Sequence, residues 1–181
     1  MFALAAAFAK TPISPTPWAS FTSFANSGAG SPLWQNVGNA ANSDDLYATW
    51  AAPPAGGGSD MLRASNPGAV LTDAIPVGAV INGVELRCET KYTGSLGASL
   101  FLGAILHQGG APVSDFKIQS AWTYAADGFM VFGGPTSMWS IAWVRADFGA
   151  AFAVDLSLSA GGGSAGLVAH LDHVQARVYF T

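Results

Sequence analysis

The chain has 181 residues, enough for one domain with a sizeable buried core. Only 10% of them are charged, well below the roughly one quarter of ordinary globular proteins, while half are hydrophobic and the formal net charge is −4. The seven basic residues stand singly, at Lys10, Arg63, Arg87, Lys91, Lys117, Arg145 and Arg177, so the clustered cations that a nucleic-acid binder needs are missing.

Residues 1–33 read as an extended arm, set apart from a β-sandwich domain over 34–181. Pro12, Pro15, Pro17 and Pro32 bar a long helix and, lacking N–H donors, keep the segment from forming a central strand. The opening MFALAAAFAK lacks the positive n-region of a signal peptide, and no convincing cleavage site follows it. Phe2, Phe8, Trp18, Phe21 and Phe24 then serve as apolar anchors. They are the candidate partner-binding residues, docking either on a neighbouring subunit or back on their own sandwich.

From Leu33 onward, alternating runs recur between Gly, Pro, Asn and Asp clusters. Strands are expected over 46–51, 60–64, 79–92, 98–107, 112–118, 137–144, 150–158 and 168–180. Val84, Leu86 and Cys88 alternate with Glu85, Arg87 and Glu89, and similar alternation marks Phe152–Leu158 and Val174–Phe180. One parity is apolar and the other mostly polar, as in antiparallel sheets. Leu100–His107 is apolar on both parities and belongs at the centre of a sheet or at a subunit contact. The most apolar stretch, Gly97–Leu106, falls far short of the roughly 20 residues that span a bilayer. The expected fold is all-β: a two-sheet antiparallel β-sandwich, jelly-roll-like. Val84, Leu86, Leu100, Leu102, Val154, Leu156, Val178 and Phe180 are its expected core.

Catalytic chemistry is hard to place on this chain. Cys88 is the single cysteine and falls on an apolar parity, which makes it a core thiol. His170, Asp172 and His173 resemble a ligand run, but strict alternation would put His173 on the opposite face from the other two. The Asn42–Asp45 cluster reads as a turn whose side chains bond nearby backbone. Glu85 and Glu89 share a strand face about 13 Å apart, too far for a carboxylate pair. No nucleophile elbow or phosphate loop occurs. The chain is therefore expected to be non-catalytic, with no metal and no cofactor. Its aromatic residues are the remaining candidates. Trp139 and Trp143 share a parity in the strand expected at 137–144 and could form a glycan-stacking platform, although large aromatics also fill sandwich cores.

Trp34-Gln35-Asn36, Asn39, Asp44-Asp45-Leu46-Tyr47-Ala48-Thr49 and Ile75-Pro76-x-Gly78-Ala79-x-Ile81-x-Gly83-Val84-Glu85 together resemble a module of tailed-bacteriophage virion structural proteins. Trp143, Asp147-Phe148-Gly149 and the closing Val178-Tyr179-Phe180-Thr181 extend the resemblance over residues 33–181. It implies an accessory β-sandwich subunit of the tail, adaptor or fibre base, or a head-decoration knob. It also implies a virion-exterior location after synthesis in the host cytoplasm, with other virion proteins as partners. No catalytic residues carry over. In the motif, Pro76 and Gly78 form the turn that launches a long strand, Gly83 permits a bulge or close backbone approach, and Tyr47 and Trp34 plug one end of the sandwich. So few charges point to a homo-oligomer that hides apolar surface, and the resemblance favours a trimer. The alternative function is a glycan-binding module that recognises a host-surface receptor.

Overall fold

A computed structural model describes residues 11–28, 32–94, 100–112, 116–119, 126–162 and 166–181. The two longest alternating segments form its spine. Ile81–Thr93 (β7) and Val168–Phe180 (β13) pair antiparallel, with Val84 opposite Val178, Leu86 opposite Ala176 and Cys88 opposite Val174. All six of these side chains are fully buried. Gly128–Gly133 (β11) adds to the far side of β7. The free edge of β13 is covered by three short strands in succession: Ala48–Ala51 (β4), Ala19–Ser20 (β2) and Ser14–Pro15 (β1).

The second sheet centres on Ala153–Ala160 (β12) and Leu100–Gln108 (β8), paired over eight residues. Lys117–Gln119 (β10) and Ala111–Pro112 (β9) flank β8. Leu62–Ser65 (β6) and Gly57–Gly58 (β5) flank β12, and Ser23–Asn26 (β3) closes the edge beyond β6. Among the described residues one sheet therefore has six strands and the other seven. The main strands run β4-β13-β7-β11 in the first and β6-β12-β8-β10 in the second. That order, with the chain passing repeatedly between sheets, is a jelly roll. Among the described residues helix is limited to Val70–Ala74 (α1) and two single 3-10 turns.

Seven of the eight expected core residues are fully buried, and Phe180 is half-buried against the core. The both-sided apolar character of β8 follows from its central position. Leu100, Leu102 and Leu106 face the core, while Phe116 lies directly over Gly103 on the outer side. The motif residues also behave as their chemistry demands. Ala79 N donates to Pro76 O across a turn in which Gly78 has φ +82°. At Gly83 a Cβ would stand 2.2 Å from Gly134 O, so only glycine admits that crossing chain.

Several expectations need correction. Residues 137–144 are not a strand: Trp139 and Ser140 adopt left-handed backbone, at φ 54° and 60°. The strand on this part of the chain is β11, just upstream. Residues 11–28 dock back on their own sandwich, one of the two outcomes open to the arm: β1 and β2 join the first sheet and β3 the second. Proline is no obstacle there, since β1 lies at a sheet edge, where a missing N–H costs nothing. Tyr47 does not plug the sandwich end beside Trp34. Trp34 is buried, with Nε1 donating to Asp60 O at 3.0 Å, whereas Tyr47 sits half-exposed outside the sheet. Phe2 and Phe8 lie outside the described residues.

Candidate ligand-binding face

The fold buries the expected stacking pair and separates the described arm anchors. Trp139 and Trp143 are 1% and 5% exposed. Their indole N–H groups donate inward, to Val84 O at 3.0 Å and Met138 O at 2.9 Å. Neither ring offers a face to a sugar. Of the arm anchors, Phe21 is fully buried and stacks on Phe152 at 5.9 Å, and Phe24 is half-buried against the same core. Among the described anchors Trp18 alone stands outside it, and it marks a different surface.

That surface is the outer face of the six-stranded sheet. Because Val84, Leu86 and Cys88 point inward, alternation turns Glu85, Arg87, Glu89 and Lys91 of β7 outward. Across the ladder they meet Arg177, Gln175, His173 and His170 of β13. The register shift between Leu171 and His173 makes Asp172 a bulged residue. The shift restores both histidines to the outer face and buries the Asp172 carboxylate, which accepts from the backbone N–H groups of Asp44 and Asp45. Burial pushes the Asp172 pKa up against those two hydrogen bonds. The H-x-D-H run is thus a bulge that anchors a loop. Among the described residues no group of His, Cys, Asp and Glu side chains is placed to hold a metal ion.

At one end of the face, the Tyr47 hydroxyl stands 3.0 Å from both Asp45 Oδ1 and Asp127 Oδ1. Lys91 Nζ donates to the same oxygen and lies 3.8 Å from the ring centroid. The His170 ring meets Tyr47 edge-on at 5.3 Å, and its Nε2 bonds Thr93 Oγ1 at 2.9 Å. Burial and then the two carboxylates hold the Tyr47 phenol well above its ordinary pKa. Burial and Lys91 lower His170, which keeps it neutral at pH 7.

At the other end, Arg177 Nη2 lies 2.9 Å from Glu85 Oε2, which also accepts from the Tyr179 hydroxyl. Burial and Glu85 raise the Tyr179 phenol to about 12. Trp18 spans the two arginines here, with Arg87 Cζ 4.3 Å and Arg177 Cζ 4.4 Å from its ring centroid. Phe129, 46% exposed, packs its ring 4.9 Å from Arg87 Cζ. Hydrogen bonds and ring contacts therefore fix most of these side chains on two long central strands, the arrangement that preorganised recognition needs. Neither Glu85 nor Glu89 makes an ion pair with Arg87, their neighbour on the strand face: Glu85 pairs across the sheet, and Arg87 Nε donates to Gln175 Oε1 at 2.6 Å.

Sequence reasoning singled out Trp18 as an arm anchor and Tyr47 as an end plug, and it did not single out Phe129. The outward parity of β7 was legible. Phe129 followed from nothing local, because β11 was not recognised as a strand.

No protein-family model matches this chain, and no curated protein matches it in sequence. A solved structure of the carbohydrate-binding module TmCBM61 in complex with beta-1,4-galactotriose is similar with a TM-score of 0.44 and 7% identity, over 87% of this chain and 90% of that chain. A likeness at that level carries no argument about what this chain does.

Proposed function

We propose that this chain is a non-catalytic recognition module of a tailed-bacteriophage particle, presenting the outer face of its six-stranded sheet to host-surface carbohydrate. One observation carries the carbohydrate reading. Trp18, Phe129 and Tyr47 lie among Arg, Lys, His, Asp and Glu side chains on a single face of rigid paired strands. A sugar asks for that mixture: aromatic surface against its C–H groups and oriented polar groups for its hydroxyls. The virion setting is supported by the Trp34–Glu85 motif pattern.

The test is a glycan array probed with the purified protein, followed by Trp18→Ala and Phe129→Ala. Retention of defined glycans, weakened at least about tenfold by either substitution, is the expected outcome. An array with no signal above background overturns the reading, and so does binding that both variants keep unchanged.

A second reading, a subunit whose work is assembly alone, is favoured by a separate observation. Val77, Val80 and Val144 are 89%, 62% and 58% exposed, and Phe116 and Ile118 are 44% and 60% exposed. Val80 and Val144 line one shallow groove of about 590 Å³. With so few charges to keep it soluble, such surface favours a closed homo-oligomer, a trimer by the motif resemblance. Light scattering that gives a monomer mass at every concentration would sink the oligomer.

A further inference from the structure

Three cations stand on the outer face of β7 and β13, and they are not equivalent. Arg177 is paired with Glu85 at 2.9 Å, and Lys91 lies 3.6 Å from Asp127. Arg87, between them, has no carboxylate partner among the described residues. Its Nε donates to Gln175, while its two terminal nitrogens make no hydrogen bond there. The guanidinium is half-buried between the rings of Trp18 and Phe129. Burial and the charge of Arg177 both work against its cationic form, only partly opposed by Glu89 and Glu85. A planar fork in that setting is completed by a planar anion that accepts two parallel N–H bonds. Glu85 and Glu89 flank Arg87 on the same strand face, so an anion displaced along β7 meets repulsion. The electrostatics confine it to one guanidinium.

We infer that the sugar taken by this face carries a carboxylate, which docks on the terminal nitrogens of Arg87 while the sugar ring lies against Trp18 or Phe129. The inference rests on the carbohydrate reading above and narrows it to acidic glycans. The experiment uses the full chain and matched pairs of ligands: oligogalacturonate and sialyl-lactose, each against its own methyl ester. The wild type should bind at least one acid about tenfold or more tighter than its ester, since a charge-assisted pair is lost. The preference should shrink as salt is raised. Arg87→Gln should abolish the preference without changing the melting temperature. Arg87→Lys, which keeps the charge and loses the fork, should recover only part of it, and it carries the test if the Gln variant does not fold. Equal affinity of the wild type for acid and ester overturns this inference and leaves the carbohydrate reading standing. Binding of neutral glycans alone on the array has the same consequence, and no binding of any glycan overturns both.

Discussion

At the residue scale, the most consequential polar group is Asp155, on the outer side of β12. It is 4% exposed, yet each carboxylate oxygen is claimed. Arg63 Nε and Nη2 donate to Oδ1 and Oδ2 at 2.8 Å each, and His107 Nε2 lies 2.8 Å from Oδ2. Burial alone would raise the Asp155 pKa, but the hydrogen bonds from Arg63 and His107 outweigh it and hold the carboxyl below its ordinary value. A depressed carboxylate contributes stability that is complete above its unfolded pKa, about 3.9, and is lost as pH falls through the folded value. Asp155→Ala should therefore cost about 3 kcal/mol at pH 7, the low end for a buried pair, because Arg63 keeps 38% of its side chain in water. The gap in melting temperature between wild type and variant should close below pH 4, and a gap constant from pH 7 to pH 3 would contradict the assignment. Cys88 gives a second residue-scale prediction. Burial among Leu86, Val174 and their neighbours pushes its thiol up to about 12. Iodoacetamide at pH 8 should leave it unmodified in the native protein and alkylate it readily in denaturant.

At the scale of elements, the decisive segment is 11–28. It supplies the edge of β13 from 175 to 180 and the outermost strand of the other sheet. Thr16 N donates to Val178 O, Thr16 Oγ1 accepts from Val178 N, and Phe21 N donates to Val174 O. Between these strands Phe21 reaches the cluster of Phe152, Phe148 and Trp143, whose ring centroids lie 5.2–5.9 Å apart. Phe21→Ala should destabilise the fold by about 3–5 kcal/mol through lost transfer energy and the cavity left behind. Denaturant titration reads this as a shifted midpoint with an unchanged slope. A loss below about 1 kcal/mol, the scale of an ordinary surface substitution, would mean that Phe21 is not packed as described.

At the scale of the whole molecule, the first described strand pairs with the last, Ser14 opposite Phe180, and β7 pairs with β13 across about half of the chain. Little of this sandwich can form from local contacts. Loop closure must come before most of the pairing energy is gained, which places folding in the millisecond-to-second range typical of β-sandwiches. Stopped-flow refolding followed by tryptophan fluorescence should show that time scale, because the buried Trp34, Trp50 and Trp139 report core assembly. Complete recovery within microseconds would contradict the topology.

The sequence by itself determined the sandwich. Period-2 alternation at 84–89, 152–158 and 174–180 specifies which face of each strand is buried, and that is a local property of the chain. It also determined the turn at Pro76–Gly78 and the core role of Cys88. What it could not determine was where alternation breaks and which strands become neighbours. The bulge at Asp172 reverses side-chain parity within one residue, so strict alternation mis-sorted the two histidines. The aromatic pair Trp139 and Trp143 had the spacing of a strand, yet the chain turns left-handed there because buried acceptors, Val84 O and Met138 O, await both indoles. Trp18 came to lie on the outer face of the sheet only because β13 leaves an edge for β1 and β2 to fill, which carries the linker between them over Arg87 and Arg177. Contacts of that kind join residues far apart in the chain, and only the tertiary structure brings them together.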